Sequence, residues 1–390
     1  MTLVRPGSAE LGALLSRIAQ GSADREATGT APFEQIAWIR QARLGAFRVP
    51  VADGGGGAGV RELFDLVVRL SHADSNIGHL LRAHYGTVED ILTWPASPRR
   101  ERWIARVAEG ELFGNGNNEL GAKHAGDYNK STTFTPDGDD YVVNGTKYYS
   151  TGTLYADHTF VTGVTDAGVP VQALLTLGTD GITIEDDWDG FGQSLTATGT
   201  TRFEGARVSA QEVTLPPEGV IPRWHLGPFY QHYLNAVVAG NTQSVLDDAV
   251  ALIRSRTRSF THGSADLPQD DPVLQEVVGE ISALASAATA VVLETADVLA
   301  RIPEHHTDEV VHEAGLRASQ AQVVVHDLGL RAATALFEVG GASAVKRSAH
   351  LDRHWRNIRT VVSHNPVRFK NRAIGDLLVN GQTLPDNTYF

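Results

Sequence analysis

A histidine falls in a window without acidic residues, Thr360-Val361-Val362-Ser363-His364-Asn365-Pro366, just after Arg359. An imidazole there can donate a hydrogen bond or a proton to a developing oxyanion, and it can equally sit at a helix end for dipole reasons. Ser150, in Tyr148-Tyr149-Ser150-Thr151-Gly152, carries a hydroxyl that donates or accepts as it rotates. Asn115, Asn117 and Asn118 crowd the stretch from Phe113 to Leu120, where asparagine serves as polar lining or as turn chemistry. His350 and His354 have the four-residue spacing that puts two imidazoles on one helix face. No third ligand accompanies them and no HExxH occurs, so a basic face with Arg353 and Arg356 is the simpler reading and no metal is expected. The run Gly54-Gly55-Gly56-Gly57 lacks the following Gly-Lys-Ser/Thr of a phosphate loop and the strand context of a dinucleotide fingerprint. It reads as a flexible helix connection.

The rest of the composition narrows the chemistry. The 390 residues include no cysteine, which excludes disulfides, thiolate nucleophiles and Cys-ligated zinc or iron–sulfur centres. Catalysis must therefore use His, carboxylate, hydroxyl or a borrowed cofactor. With 33 Lys and Arg against 46 Asp and Glu, the formal charge of −13 disfavours nucleic acid and anionic lipid as partners. The N-terminal residues lack a signal-peptide pattern, and no run of 18 uncharged apolar residues occurs, so the expectation is a soluble cytoplasmic protein with no membrane partner.

These residues must be held by two or three packed domains. Leu11, Leu14, Leu15 and Ile18 follow helical spacing, as do Phe33, Ile36, Ala37 and Ile39, and then Leu63, Leu66, Val67 and Leu70. Near Glu111 the period becomes alternating. Short strands at 132–135, 141–143, 159–164, 172–177 and 200–203, joined by Asp137-Gly138 and Asn144-Gly145 turns, predict an antiparallel β domain. Long amphipathic segments follow at 229–260, 272–302, 308–339 and 344–360, which predict a four-helix bundle. The fold class is α+β: an N-terminal helical domain over 1–110, a central β domain over 111–216 and a C-terminal helical bundle over 217–390.

The chain resembles the acyl-CoA dehydrogenase superfamily, in its flavin-dependent monooxygenase branch. The general marks are Val49-Pro50 with the glycines after it, Tyr141-Val142-Val143-Asn144-Gly145-Thr146-Lys147, the stretch Phe203 to Val208, Arg256 to Phe260, and Phe337-Glu338-Val339-Gly340-Gly341. Two stretches are more selective. Tyr148 to Asp157 and Leu351 to Pro366 resemble the segments of the dibenzothiophene monooxygenases and related sulfur-acquisition oxidoreductases.

This resemblance implies an acyl-CoA dehydrogenase-like fold and a two-component enzyme. Reduced FMN would come from a separate NAD(P)H:flavin reductase and react with O2 to a C4a-hydroperoxide, which oxygenates the sulfur of an organosulfur or aromatic heterocyclic substrate. A homotetramer built through the C-terminal bundles is implied as well. Many dehydrogenases of the superfamily carry a catalytic glutamate a few residues after the position of Arg359, and here the window 360–366 has none. The resemblance makes His364 the residue that protects and protonates the peroxide, and Ser150 and Asn115 its catalytic companions at the flavin. It places His84 and Tyr85 where the helical domain faces the cavity, with His84 as a further catalytic candidate. Flavin contacts are expected at Tyr85, Asn115, Asn117, Asn118, Glu119, Leu120, Thr146, Lys147, Tyr148, Tyr149, Ser150 and His364. Arg256, in preference to Arg258, would bind the flavin phosphate, and Ala342 and Ser343 would complete the flavin site from a neighbouring subunit. The loops 115–130 and 220–232 would shape the substrate pocket. N-hydroxylation or aromatic C-hydroxylation on the same fold, and an FAD-dependent acyl-CoA dehydrogenase, are the alternative activities.

Overall fold

Apolar residues at helical spacing bury one stripe each on α1 (Ala9–Ala19), α3 (Phe33–Gln41) and α4 (Val60–Ala73), and these stripes converge on a shared core. The computed structural model describes residues 3–121, 130–216, 226–303, 305, 307–385, 387 and 389–390. Around the three helices lie α2 (Ser22–Thr28), α5 (Ser75–Leu80), α6 (Arg82–Thr93) and α7 (Pro98–Glu109). Asp74 caps α5, accepting from the backbone N–H groups of Asn76 and Ile77, and is itself paired with buried Arg25 at 2.8 Å.

The described strands are β1 (Phe113–Gly116), β2 (Thr133–Asp137), β3 (Asp140–Lys147), β4 (His158–Thr165), β5 (Pro170–Thr176), β6 (Ile182–Glu185), β7 (Thr200–Ser209) and β8 (Val213–Thr214). They form one sheet in the order β6-β7-β3-β2-β4-β5-β8, with β1 added on β4. The expected all-antiparallel sheet is corrected here, because β4 runs parallel to both β1 and β2. The reason is topological. β7 pairs along the other edge of β3, so the chain after β3 pairs as β4 on the far side of β2. The short β1, β6 and β8 have too few alternating positions to announce themselves in the sequence.

The bundle is α8 (Gly227–Ser255), α9 (Pro272–Leu299), α10 (Asp308–Gly340), α11 (Asp352–Ser363) and α12 (Val367–Asn380). The fourth expected segment, 344–360, becomes 3-10 turns followed by the shorter α11, and α12 adds a helix that the pattern did not announce. By length and composition α9 could cross a membrane, with a mean hydropathy of 1.6 in its most apolar window. Instead Ile281, Leu284, Ala285, Ala288, Val292 and Ala296 are buried in the core that α9 shares with α8 and α10. α4 also packs along α8 and joins the N-terminal domain to the bundle through Leu63, Phe64, Leu66 and Val67. Each such side chain contributes about 1.5–3 kcal/mol by leaving water, so the two helical domains are held as one body.

Candidate active site

Where the N-terminal domain, the sheet and the bundle meet, a shallow cleft opens to solvent. α6 supplies Arg82, Ala83 and Thr87 to its wall. β1 and the segment after it supply Gly114, Asn115, Asn117 and Asn118, the start of α8 supplies Tyr230 and Gln231, and the end of α11 supplies His364. Tyr389, from the C-terminal segment, closes one side.

The turn carrying Ser150 is built by backbone conformation. Tyr149 adopts φ 55°, which is uncommon for a residue with a side chain, and Gly152 follows at φ 80°. A Cβ on Gly152 would also lie 2.4 Å from the carbonyl oxygen of Leu80, so glycine is required there twice over. Asn115 Nδ2 donates to the Tyr149 carbonyl at 3.1 Å, and Thr153 Oγ1 donates to the Asn115 carbonyl at 3.0 Å. The Ser150 N–H donates to Gly199 O at 2.9 Å, whereas its buried Oγ has no hydrogen-bond partner among the described residues. A buried unpaired hydroxyl costs about 1–3 kcal/mol. A planar ligand with nitrogen and oxygen atoms on its edge, such as a flavin ring, would satisfy it, and the exposed Tyr149 ring flanks the same turn.

His364 stands at the C-terminal end of α11 with its Nε2 3.4 Å from Arg82 Nη1, and its ring lies 6.2 Å from that of Tyr389. The residue is solvent-exposed at the cleft, with the protein packed around its inner side. Desolvation by that packing, then the Arg82 guanidinium and His79, push its pKa well below the usual histidine range. Asn365 fixes the turn behind it. Its Nδ2 donates to Gln231, and its carbonyl accepts from Gln322 Nε2 at 3.0 Å. His364 is thus a helix-end residue that also lines the cleft.

Several expected residues stand elsewhere. His84 is fully buried: its Nε2–H donates to Gly45 O at 2.9 Å and its Nδ1 accepts from Phe113 N at 3.2 Å. Burial pushes it down to about 4, so it is a neutral structural ring, and its expected catalytic place is corrected. Tyr85 is likewise buried, donating to Leu44 O at 2.9 Å, and is no flavin contact from this position. Helix phase is the cause. At about 100° per residue, Arg82, Ala83 and Thr87 share one face of α6, and His84 and Tyr85 point to the opposite side.

Glu119 and Lys147 are bound to each other. Lys147 is fully buried and burial brings its pKa down to about 8. Burial opposes the charge of Glu119, but Lys147 and the donors of Ser131 and Thr132 outweigh it and hold the carboxyl at about 2. The pair staples the segment after β1 to β2 and β3, so neither side chain is available to a flavin. Asn117 spends its Oδ1 on Thr162 Oγ1 at 2.7 Å, and Asn118 O accepts from Tyr148 N at 2.9 Å. Thr146 pairs with Arg202 across β7, and Leu120 is 62% exposed.

Arg256 caps the far end of α8, donating to Val339 O beside the turn that bears Ala342 and Ser343. Those three expected contacts are thus brought together, but α8 separates them from Tyr230 by about 40 Å at 1.5 Å per residue. Within one chain they do not reach the cleft. His350 and His354 do not share a helix face, because His350 lies before α11 at φ 51°. His354 is held by Asp248 at 2.8 Å and Asn241 at 2.9 Å. Parts of the loops 115–130 and 220–232, namely 122–129 and 220–225, lie outside the described residues.

Arg82, Thr87, Gln231 and Tyr389 are cavity residues that the sequence reading did not assign. Phase on α6 could have singled out Arg82 and Thr87. Nothing local marks Tyr389, whose place depends on the chain returning from α12.

Residues 233–369 match the family model described as acyl-CoA dehydrogenase, C-terminal domain. The chain is 27% identical over 378 residues to a dibenzothiophene monooxygenase of Mycolicibacterium goodii, covering 92% of this chain and 89% of that one. It is 26% identical over 386 residues to the probable FMNH2-dependent monooxygenase SfnC of Pseudomonas putida, covering 96% and 95%. The FMN-bound structure of TdsC from Paenibacillus sp. A11-2 superposes with a TM-score of 0.90 at 25% identity, over 98% of this chain and 100% of the other.

Proposed function

We propose that the chain belongs to the acyl-CoA dehydrogenase superfamily, in its flavin-dependent monooxygenase branch, and that it oxygenates the sulfur of an organosulfur compound with reduced FMN and O2. One observation carries the choice of oxygenation over dehydrogenation. Among the described residues, the cleft lining contains no carboxylate, so no base is placed to remove a proton alpha to a thioester, and His364 stands in the cleft instead.

Reduced FMN, when bound, would supply the two electrons needed to split O2 and transfer one of its oxygen atoms. The chain's own residues bind and orient. Ser150 Oγ, which has no hydrogen-bond partner among the described residues, would offer the flavin edge a hydrogen bond, and Asn115 holds the turn that carries it. His364, neutral near pH 7, holds or returns a proton at the oxygen where charge develops. Asn365 and Gln231 keep that ring in place. A separate NAD(P)H-dependent reductase supplies the reduced flavin, and a homotetramer lets Arg256, Ala342 and Ser343 of one subunit meet the flavin of another. The outward small residues Ala283, Ala287 and Ala290 of α9 suit close packing between copies.

The test is to mix the purified protein, loaded with reduced FMN, with oxygen and a panel of sulfides, thiophenes and sulfinates. Oxygenated product and a transient oxygenated-flavin absorbance are expected. Tightly bound FAD that bleaches anaerobically with an acyl-CoA, with no sulfur product, would instead identify a dehydrogenase.

A further inference from the structure

Arg82 projects from α6 into the cleft, and the structure gives it no carboxylate partner among the described residues. Its Nε donates to Tyr230 O at 3.0 Å, and its guanidinium carbon lies 5.5 Å from the centre of the Tyr230 ring. The titratable groups acting on it are the phenols of Tyr230, Tyr389 and Tyr233 and the imidazoles of His364 and His79, none of which is an anion at neutral pH. Burial brings its own pKa down to about 10, so it stays charged at pH 7. It is the only formally charged side chain among the described lining residues, which otherwise offer amides, hydroxyls and aromatic rings. A partly buried guanidinium without a counterion is costly unless a ligand provides one, and its planar donors suit an oxyanion.

We infer that Arg82, fixed by Tyr230 beside His364, is an anion-recognition residue that selects a negatively charged organosulfur substrate, of the sulfinate class, over neutral sulfides. This rests on the oxygenase reading. A sulfinate combines the required charge with a sulfur lone pair that accepts oxygen. The balance is R–SO2⁻ + O2 + FMNH2 → R–SO3⁻ + FMN + H2O: one S–O bond forms, the O–O bond breaks, and the flavin's two electrons and two protons go to water with the second oxygen. The aromatic rings of Phe160, Tyr230 and Tyr389 in the same wall suit the organic substituent.

The experiment titrates the FMN-loaded wild type, Arg82→Gln and Arg82→Lys with benzenesulfinate, benzoate and methyl phenyl sulfide, following the flavin spectrum, with FMN affinity and melting temperature measured in parallel. The expected result is that wild type binds benzenesulfinate at least tenfold more tightly than the sulfide, and that added salt weakens this. Arg82→Gln should lose at least tenfold toward both anions, Arg82→Lys less, with FMN affinity within twofold. Equal binding of anion and sulfide by wild type overturns the inference. So does an equal loss of FMN affinity in Arg82→Gln, which would assign the guanidinium to the flavin phosphate. If Arg82-dependent anion binding is found but no sulfur compound is oxygenated, the oxygenase reading fails and anion recognition stands. If sulfides are oxygenated and anions do not bind, the reverse holds.

Discussion

His364 and Ser150 carry opposite signatures of a working residue. His364 has partners but an unfavourable setting for charge, since desolvation and Arg82 3.4 Å away disfavour the imidazolium. Any proton that it takes up is readily given back, which suits proton transfer to a departing oxygen. His364→Ala should lower the rate of product formation about a hundredfold, the low end of general-acid effects, and raise hydrogen peroxide release with little change in melting temperature. Unchanged coupling between oxygen consumed and product formed would remove it from the mechanism. Ser150 has a favourable, buried setting but no partner for its Oγ among the described residues. Ser150→Ala should leave the flavin-free protein as stable as before or more so, and weaken FMN binding by about 1 kcal/mol, the worth of one hydrogen bond. A loss of stability without a loss of FMN affinity would show that the hydroxyl is structural. At this scale the residue types were legible in the sequence. The roles of His84 and Tyr85 were not, because two adjacent positions of a helix cannot be told apart until its inward face is known.

At the scale of elements, α8 connects the two halves of the expected flavin site without uniting them. Tyr230 and Gln231 at its start line the cleft, and Arg256 at its end meets the turn at 341–343. If a second copy brings that end to the cleft, Arg256→Ala should weaken FMN binding by about 1.5–3 kcal/mol, the value of a charge-assisted hydrogen bond, while each subunit keeps its fold. Equilibrium FMN titration checks this, with the oligomeric state measured beside it. Should Arg258→Ala weaken binding instead, the choice between the two arginines is wrong. The long helices and the longer strands were readable from period alone. The parallel placement of β4 was not, because register and neighbour order depend on which edge β7 takes, a pairing between segments more than 50 residues apart.

Across the whole molecule, neutral histidines are buried where domains and helices join. His79 of α5 donates to Gln193 at 3.2 Å, His84 of α6 bridges Gly45 and Phe113, and His232 of α8 donates to Val292 O at 2.9 Å. Burial lowers these three to about 4, and His326, whose ring nitrogens have no hydrogen-bond partner among the described residues, to about 3. Between pH 6.5 and those values the unfolded chain binds protons that the folded chain refuses. Their contribution is therefore present above pH 6.5 and is lost as the pH falls toward about 4, by up to about 1.4 kcal/mol per group per pH unit. Buried Asp74 and the half-buried Glu26 and Asp90, whose carboxyls desolvation pushes up, act in the opposite sense. A difference measurement isolates the histidine effect: the stability of His326→Leu relative to wild type should increase steadily as the pH is lowered from 6.5 to 4, and a difference independent of pH would refute it. The sequence by itself determined the chemistry that was open to the chain. Without cysteine, and with no acid in the window 360–366, catalysis was left to His, carboxylate, hydroxyl or a borrowed cofactor, and the periodicities set helix, sheet and bundle in that order. Only the tertiary structure decided which side chains share the cleft, because Arg82, Asn115, His364 and Tyr389 are separated by long stretches of chain, and their meeting depends on helix phase, sheet order and the return of the C-terminal segment.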